Sequence, residues 1–244
     1  MIKGKKMPND YFQFQQFRVE QQRAAMKVCT DACIFGAWVA QLLGKQHGRL
    51  LDIGTGTGLL ALMVAQQTGL KIDAIDIRTE AVDEAGNNFR SSPWSDRLNC
   101  FHGDIRRWRT DEPYDALICN PPFYENNLRS ADDEKNDAMH SERLTLLELV
   151  NAIKELLKAE GSWGILLPYS RLDFFLGIVE GMAWNVLHRL DIYNEGKKEP
   201  FRSCMWLGKE GETTMQQQLT IKQSGIYTEE FSNLLGSYYL TFQH

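Results

Sequence analysis

Apolar runs of strand length alternate with stretches of helical period along most of this chain, the pattern of an α/β domain built on a mostly parallel sheet. "RLLDIG" (Arg49 to Gly54) predicts a first strand, and "LLALMVAQQTG" (Leu59 to Gly69) the helix after it, closed by a glycine. "KIDAIDI" (Lys71 to Ile77) predicts the second strand, Thr79 to Phe89 the next helix, and "LNCFHGD" (Leu98 to Asp104) and "YDALICN" (Tyr114 to Asn120) the third and fourth strands. From about Leu144 to Ala159, the residues Leu146, Leu147, Val150, Ile153, Leu156 and Leu157 share one helical face, with Gly161 past the end. "SWGILLP" (Ser162 to Pro168) predicts a fifth strand and Leu172 to Met182 a further helix. "NVLHRLDIYN" and "FRSCMWLGK" flank "EGKKEP" as a pair of antiparallel strands closing the sheet, and "YTEEFSNLLGSYYLTF" predicts a short amphipathic helix docked on the body.

A preface precedes the first strand. "YFQFQQFRVE" alternates apolar and polar positions on both sides of Gln15 and Gln16, as a hairpin does. "KVCTDACIFGAWVAQLL" then offers Thr30 or Asp31 as an N-cap and places Phe35, Trp38, Val39 and Leu42 at helical spacing. The expected organisation is one domain over 1–244, with a hairpin and arm in 1–30 and a Rossmann-like core in 31–244. Tyr124 to Glu142 has no period and is rich in Asn, Asp, Glu and Ser, a length of loop that is usually functional.

Composition narrows the function classes. The 244 residues are 43% hydrophobic, enough for a substantial core, and no apolar run is long enough to span a bilayer. The start, "MIKGKKMPNDYF", lacks a signal-peptide apolar stretch, so a cytoplasmic protein is expected. Cys29, Cys33, Cys100, Cys119 and Cys204 are odd in number and scattered, which fits reduced thiols and predicts no metal site. The formal charge of −5 gives no bulk support to a nucleic-acid partner. Basic residues cluster locally at Lys3, Lys5 and Lys6, at Arg106, Arg107 and Arg109, and at Lys197, Lys198 and Arg202; taken alone, each cluster reads as a solvated face.

The candidate chemistry lies at strand ends. Asp52, Gly54, Gly56 and Gly58 form a D-x-G-x-G-x-G turn between the first strand and its helix, where glycines let backbone amides approach a ligand. The spacing departs from the G-x-G-x-x-G of a dinucleotide fold. Asp76 ends the second strand, where an acid can accept from both ribose hydroxyls, and Asp104 ends the third, suited to accept from an adenine amine. Ile77 and Ile105, next in the chain after these acids, are counted with them as cofactor contacts. Singly, Asp76 reads equally well as a helix cap and Asp104 more often as a turn residue; together with the glycine turn they describe an adenosine-bearing ligand with an amino-acid carboxylate, S-adenosylmethionine.

The fourth strand ends in Asn120-Pro121-Pro122-Phe123. A residue before proline is pushed out of the helical region and two prolines fix φ in succession, so the backbone is stiff where it presents the Asn120 side-chain oxygen and the Pro121 carbonyl. Two acceptors held that way suit a planar exocyclic amine, drawing its nitrogen towards a tetrahedral shape with its lone pair aimed at the methyl group. Phe123, with Tyr124 beside it, can stack on the base. Catalysis is then mainly positioning, and no general base is needed. A bare strand terminator would require neither the asparagine nor the aromatic.

These residues resemble the class I methyltransferases carrying an N-P-P-[FY] motif, and within them the YfiC-type valine-tRNA (adenine-37-N6)-methyltransferases. The likeness runs through "FQQFRVEQQRAAMKVCTDACIFGAW", "LLDIGTGTGLLALMVAQ", "SSPWSDRL", "DALICNPPFY" and "YTEEFSNLLGSYYL", with Phe123 standing where close relatives often have tyrosine. The resemblance implies a seven-stranded mostly parallel sheet with one reversed strand, S-adenosylmethionine as cofactor, and no metal. It also implies that Lys27, Thr30 and Asp31 lie near the cofactor and target, that Gly54, Asp76, Asp104 and Asn120 contact the cofactor, and that Asn120 to Phe123 hold the adenine. The expected reaction is N6 methylation of adenosine 37 in the anticodon loop of valine tRNA by a monomer, the base leaving its stack to reach Asn120. His140, in the aperiodic loop, reads as solvated. The rival acceptors are ribosomal guanine N2, DNA adenine and a protein glutamine amide. The rival classes are a nicotinamide oxidoreductase, which leaves Asn-Pro-Pro-Phe unexplained, and a silent RNA-binding module.

Overall fold

The structure, a computed structural model, describes residues 9–24, 26–121, 144–209 and 215–241. Its elements are β1 (Tyr11–Gln13), β2 (Arg18–Glu20), α1 (Thr30–Leu43), β3 (Arg49–Ile53), α2 (Leu59–Gln67), β4 (Lys71–Asp76), α3 (Thr79–Arg90), β5 (Leu98–His102) and β6 (Tyr114–Cys119). After residue 143 come α4 (Leu146–Leu156), β7 (Leu157–Pro168), α5 (Leu172–Glu180), β8 (Asn185–Tyr193), β9 (Arg202–Gly208), β10 (Met215–Thr220), β11 (Lys222–Gln223), β12 (Ile226–Tyr227) and α6 (Glu229–Leu235).

The main sheet has eight strands in the order β10-β8-β9-β7-β6-β3-β4-β5. β9 runs antiparallel to both neighbours, and the other pairs are parallel. The central strands are buried on both faces, which is why they read as continuous apolar runs. Leu50, Ile72, Ala74, Ala116 and Ile118 enter the core shared with α1, α2 and α6. Leu51, Ile53, Ile75, Leu117 and Cys119 enter the core under α4 and α5. The helices thus cover both faces of a Rossmann-like sheet, and β1 and β2 form the expected antiparallel hairpin.

Four expectations are corrected. The sheet has eight strands rather than seven because β10, "MQQQLT", adds in parallel to β8; only Leu219 of it is buried, so no apolar alternation marks it. β9 does pair with β8, but it lies inside the sheet, inserted between β7 and β8. The helix expected to reach Ala159 ends at Leu156, because Leu157 turns extended (φ −91°, ψ 139°) and pairs with Tyr114 at the start of a longer β7. Neither Thr30 nor Asp31 caps α1: the cap position is Cys29, without a side-chain hydrogen bond, and Thr30 is already helical.

The chain's last helix closes the fold onto its first hairpin. The Gln15 amide donates to the Tyr238 carbonyl at 2.8 Å, and the Tyr238 hydroxyl donates to the Met63 carbonyl of α2 at 3.0 Å. Phe231 is fully buried between Tyr227, stacked at 4.7 Å, and Tyr239 at 6.3 Å. Truncating such a ring leaves both a transfer loss and a cavity. Phe231→Ala is expected to lower unfolding free energy by about 3–5 kcal/mol, read from the midpoint of urea denaturation at unchanged slope.

Candidate functional site

Strand register brings the functional residues to one edge. Ile53 pairs with Ile75 on one side and with Cys119 on the other, so the carboxyl ends of β3, β4 and β6 stand level. The glycine turn, Asp76 and Asn120 therefore meet outside the sheet at that edge, where open α/β sheets bind ligands.

The turn is held from beneath. The Ile75 carbonyl accepts the amides of Gly54 (2.8 Å) and Thr55 (3.1 Å), and Asp76 Oδ2 accepts the amide of Gly56 (3.0 Å). Gly54, Gly56 and Gly58 adopt φ of +70°, +56° and +80°, the left-handed region that favours glycine. Their surroundings differ. A Cβ on Gly58 would sit 2.5 Å from the Phe89 ring, whereas one on Gly54 or Gly56 would meet nothing within 4 Å. Gly58 is needed for packing, and Gly54 and Gly56 leave a bare backbone facing open space.

Asp52 is fully buried below this turn and accepts the Thr55 hydroxyl at 2.7 Å, while its Oδ1 has no hydrogen-bond partner among the described residues. Burial pushes its carboxyl up to about 7; the Thr55 hydroxyl and the Ala61 amide oppose that, and the Asp76 charge reinforces it. The Asp52 side chain has no exposed surface, and the contact it makes is with the turn, through the Thr55 hydroxyl.

At the end of β6, Asn120 is half-buried and Pro121 buried. Asn120 Oδ1 is shut off from solvent yet accepts no hydrogen bond from the described residues. An acceptor left in that state costs about 1–3 kcal/mol. Pro122, Phe123, the segment Tyr124 to Glu142 with His140, and Lys3, Lys5 and Lys6 lie outside the described residues.

The remaining predicted residues divide. Asp76, also bonded to the Arg78 amide at 2.9 Å, sits beside Ile77, which is 51% exposed and offers an apolar surface at the cleft. Asp104 faces Arg106, whose Nε lies 2.9 and 3.0 Å from its two oxygens and whose terminal nitrogen lies 2.7 Å from Oδ2. That guanidinium holds the Asp104 carboxyl below the usual carboxylate range. An adenine amine reaching Asp104 would share it with Arg106. The side chain of Ile105 belongs to the core with Leu117 and Leu149, so only its backbone stands at this edge.

In front of the turn, 21–24 and 26–29 lie between the hairpin and α1. Asn88 of α3 donates to the Thr57 carbonyl (2.9 Å) and the Glu20 carbonyl (3.0 Å) and accepts the Glu20 amide (2.9 Å). Glu84 accepts the Arg23 amide at 2.8 Å. Lys27 is exposed and donates to the Asn9 carbonyl at 3.2 Å. Thr30 is exposed at the start of α1, and Asp31 pairs with Arg202 at 2.9 Å. Arg202 faces Pro168 in the register, which places the start of α1 at the same carboxyl edge.

Three residues went unrecognised in the sequence. Arg106 was hidden in a basic run, though its position two residues after Asp104 is a usable signal for a local ion pair. Asn88 and Arg202 reach partners 68 and 171 residues away, so nothing local marks Asn88 and the basic cluster that holds Arg202 does not reveal its pairing. The described residues contain no cluster able to hold a metal ion and no helix long and apolar enough to cross a membrane.

Residues 36–167 match the methyltransferase small domain family. The chain is 39% identical over 240 residues to a tRNA1(Val) (adenine(37)-N6)-methyltransferase of Dyadobacter fermentans, covering 96% of this chain and 99% of that one. It is 32% identical over 240 residues to the protein of the same name from Vibrio campbellii, covering 98% and 99%. Among solved structures, a predicted O-methyltransferase from Agrobacterium tumefaciens superposes with a TM-score of 0.64 over 84% of this chain and 95% of that one, at 12% identity.

The protonation of Asp52 has a testable consequence. Its folded value of about 7 lies above the ordinary 3.8, so the folded state keeps a proton that the unfolded chain gives up. This contribution to stability is whole below about pH 4 and is lost as pH rises through 7, amounting to at most about 4 kcal/mol. Asp52→Asn should therefore flatten the stability profile between about pH 4 and 8 relative to wild type, as read by urea denaturation across that range.

Proposed function

The chain belongs to the methyltransferase small domain family and, within it, to the tRNA1(Val) (adenine(37)-N6)-methyltransferases, and from that membership we infer that it methylates N6 of adenosine 37 in valine tRNA using S-adenosylmethionine. The observation that carries the reading is the buried, unpartnered Asn120 Oδ1 at the carboxyl end of β6, level with a glycine turn whose backbone faces open space.

The residues present fit the cofactor. The bare backbone at Gly54 and Gly56 admits its amino-acid end, Asp76 and Ile77 its ribose and the ring beyond, and Asp104 its base. Lys27, Thr30 and Asp31, at the start of α1, are proposed to border both cofactor and target. When bound, S-adenosylmethionine supplies a methyl group on a positively charged sulfur.

The protein's own part is orientation. Adenine N6 is a poor nucleophile because its lone pair is delocalised into the ring. We assign Asn120 Oδ1 one of its two protons and the Pro121 carbonyl the other. Accepting both shifts the nitrogen towards tetrahedral geometry and frees the lone pair, while the proline-restricted backbone keeps the two acceptors in place. The methylated amine then loses its extra proton to water. Pro122 stiffens the same turn in this assignment, and Phe123 stacks on the base. We read the chain as one domain acting as a monomer in the cytoplasm, where its tRNA substrate is found.

Incubation with radiolabelled S-adenosylmethionine and unmodified valine tRNA is expected to place one methyl group at adenosine 37, located by nuclease digestion and mass analysis; transfer to another acceptor but not to this tRNA would refute the assignment. Asn120→Ala is expected to lower turnover by at least about a hundredfold, with cofactor dissociation constant changed less than about threefold, measured by single-turnover assay and calorimetric titration.

A further inference from the structure

We propose that the carboxyl edge of the sheet beyond Asn120, formed by the start of α5 and the β8–β9 turn, grips the RNA strand flanking the target base; this rests on the tRNA reading above. The glycine turn, Asp76 and Asp104 belong to β3, β4 and β5, so the cofactor takes the edge on that side of Asn120. The nucleic acid is left with the other side, where β7, β9 and β8 follow in order. Because β9 is antiparallel to both neighbours, the end of β7 at Pro168, the start of β9 at Arg202 and the end of β8 at Tyr193 share one edge. At ~4.8 Å per strand, β9 and β8 lie roughly 10 and 15 Å from β6, within reach of nucleotides adjoining a base held at Asn120.

Two features there match RNA chemistry. Lys197 and Lys198 stand exposed in the β8–β9 turn, while Glu195 of the same turn accepts the Gly225 amide at 2.9 Å and is held against the β11–β12 hairpin. At the start of α5, Phe174 is 61% exposed with the Arg171 guanidinium 5.7 Å from its ring, directly after the turn that follows Pro168. An exposed ring beside a cation suits an unpaired base with its phosphate. Glu199 and Asp173 are exposed beside these groups, and with Glu195 they balance the three cations in charge, so the lysines act as individual contacts and not as a positive field. An alternating local charge with one aromatic platform fits a short single-stranded segment better than a long duplex.

The test titrates unmodified valine tRNA against protein saturated with S-adenosylhomocysteine, at salt between about 50 and 200 mM. Lys197→Gln with Lys198→Gln is expected to weaken tRNA binding about tenfold and to reduce the slope of log affinity against log salt by about 1.4, at ~0.7 per phosphate contact in a single strand. Phe174→Ala is expected to weaken binding about tenfold with the slope unchanged, and Phe174→Trp to restore it. Thermal melting and cofactor titration check that the variants fold. Wild-type affinity and slope in both variants, with the wild-type enzyme methylating the tRNA, would overturn the surface and leave the function standing. A wild-type protein that neither binds nor methylates tRNA would overturn both.

Discussion

The cleft depends on one set of hydrogen bonds, those by which the end of β4 holds the turn after β3. The Ile75 carbonyl and the Asp76 carboxylate between them take the amides of Gly54, Thr55 and Gly56. Three consecutive donors that would otherwise need water are satisfied by the neighbouring strand, and the turn stays open on its outer side. Asp52 completes the brace from inside through the Thr55 hydroxyl. Phe89 of α3 fills the space that forbids any side chain at Gly58. The turn is thus held in place by the protein's own hydrogen bonds, which leaves less ordering for a ligand to impose.

The second constraint is the level ending of β3, β4 and β6. Register fixes it, and register is fixed in turn by residues buried on both faces of the central strands. A one-residue slip of β6 would exchange Leu117 and Cys119 with Ala116 and Ile118 between the two cores and carry Asn120 away from the glycine turn. Core packing therefore sets where Asn120 stands relative to the glycine turn.

Charge is used locally. The acidic balance of the chain coexists with cations tied into particular pairs: Arg106 with Asp104, Arg202 with Asp31, Arg49 with Asp73, and Arg189 with Asp191. The first two stand at the carboxyl edge and orient acids there. Arg49 and Asp73 stand at the opposite edge, joined by the Tyr114 hydroxyl, which donates to Asp73 at 3.0 Å. A basic run such as Arg106, Arg107 and Arg109 thus holds residues of different kinds: Arg106 engages two acids, Arg109 pairs with the exposed Glu155, and Arg107 is exposed.

Local chemistry in the chain determined what could be read without a structure. Strand and helix periods, the glycine spacing, the acids at strand ends and the proline-stiffened Asn120 are all properties of a few neighbouring residues, and they led to the fold class, the cofactor and the amine-directed chemistry. Tertiary structure decided the rest, because the rest depends on partners far apart in sequence. It turned Asp52 inward and Ile105 into the core, ended α4 early so that Leu157 could pair with Tyr114, and recruited the polar "MQQQLT" as an eighth strand through its parallel pairing with β8, the bonds of Gln216 to Asp191 and of Gln217 to Trp38, and buried Leu219. It also joined Asp31 to Arg202 and Asn88 to Thr57. Such contacts leave no periodic trace in the chain, since a hydrogen bond or ion pair requires only that two groups arrive at the same place.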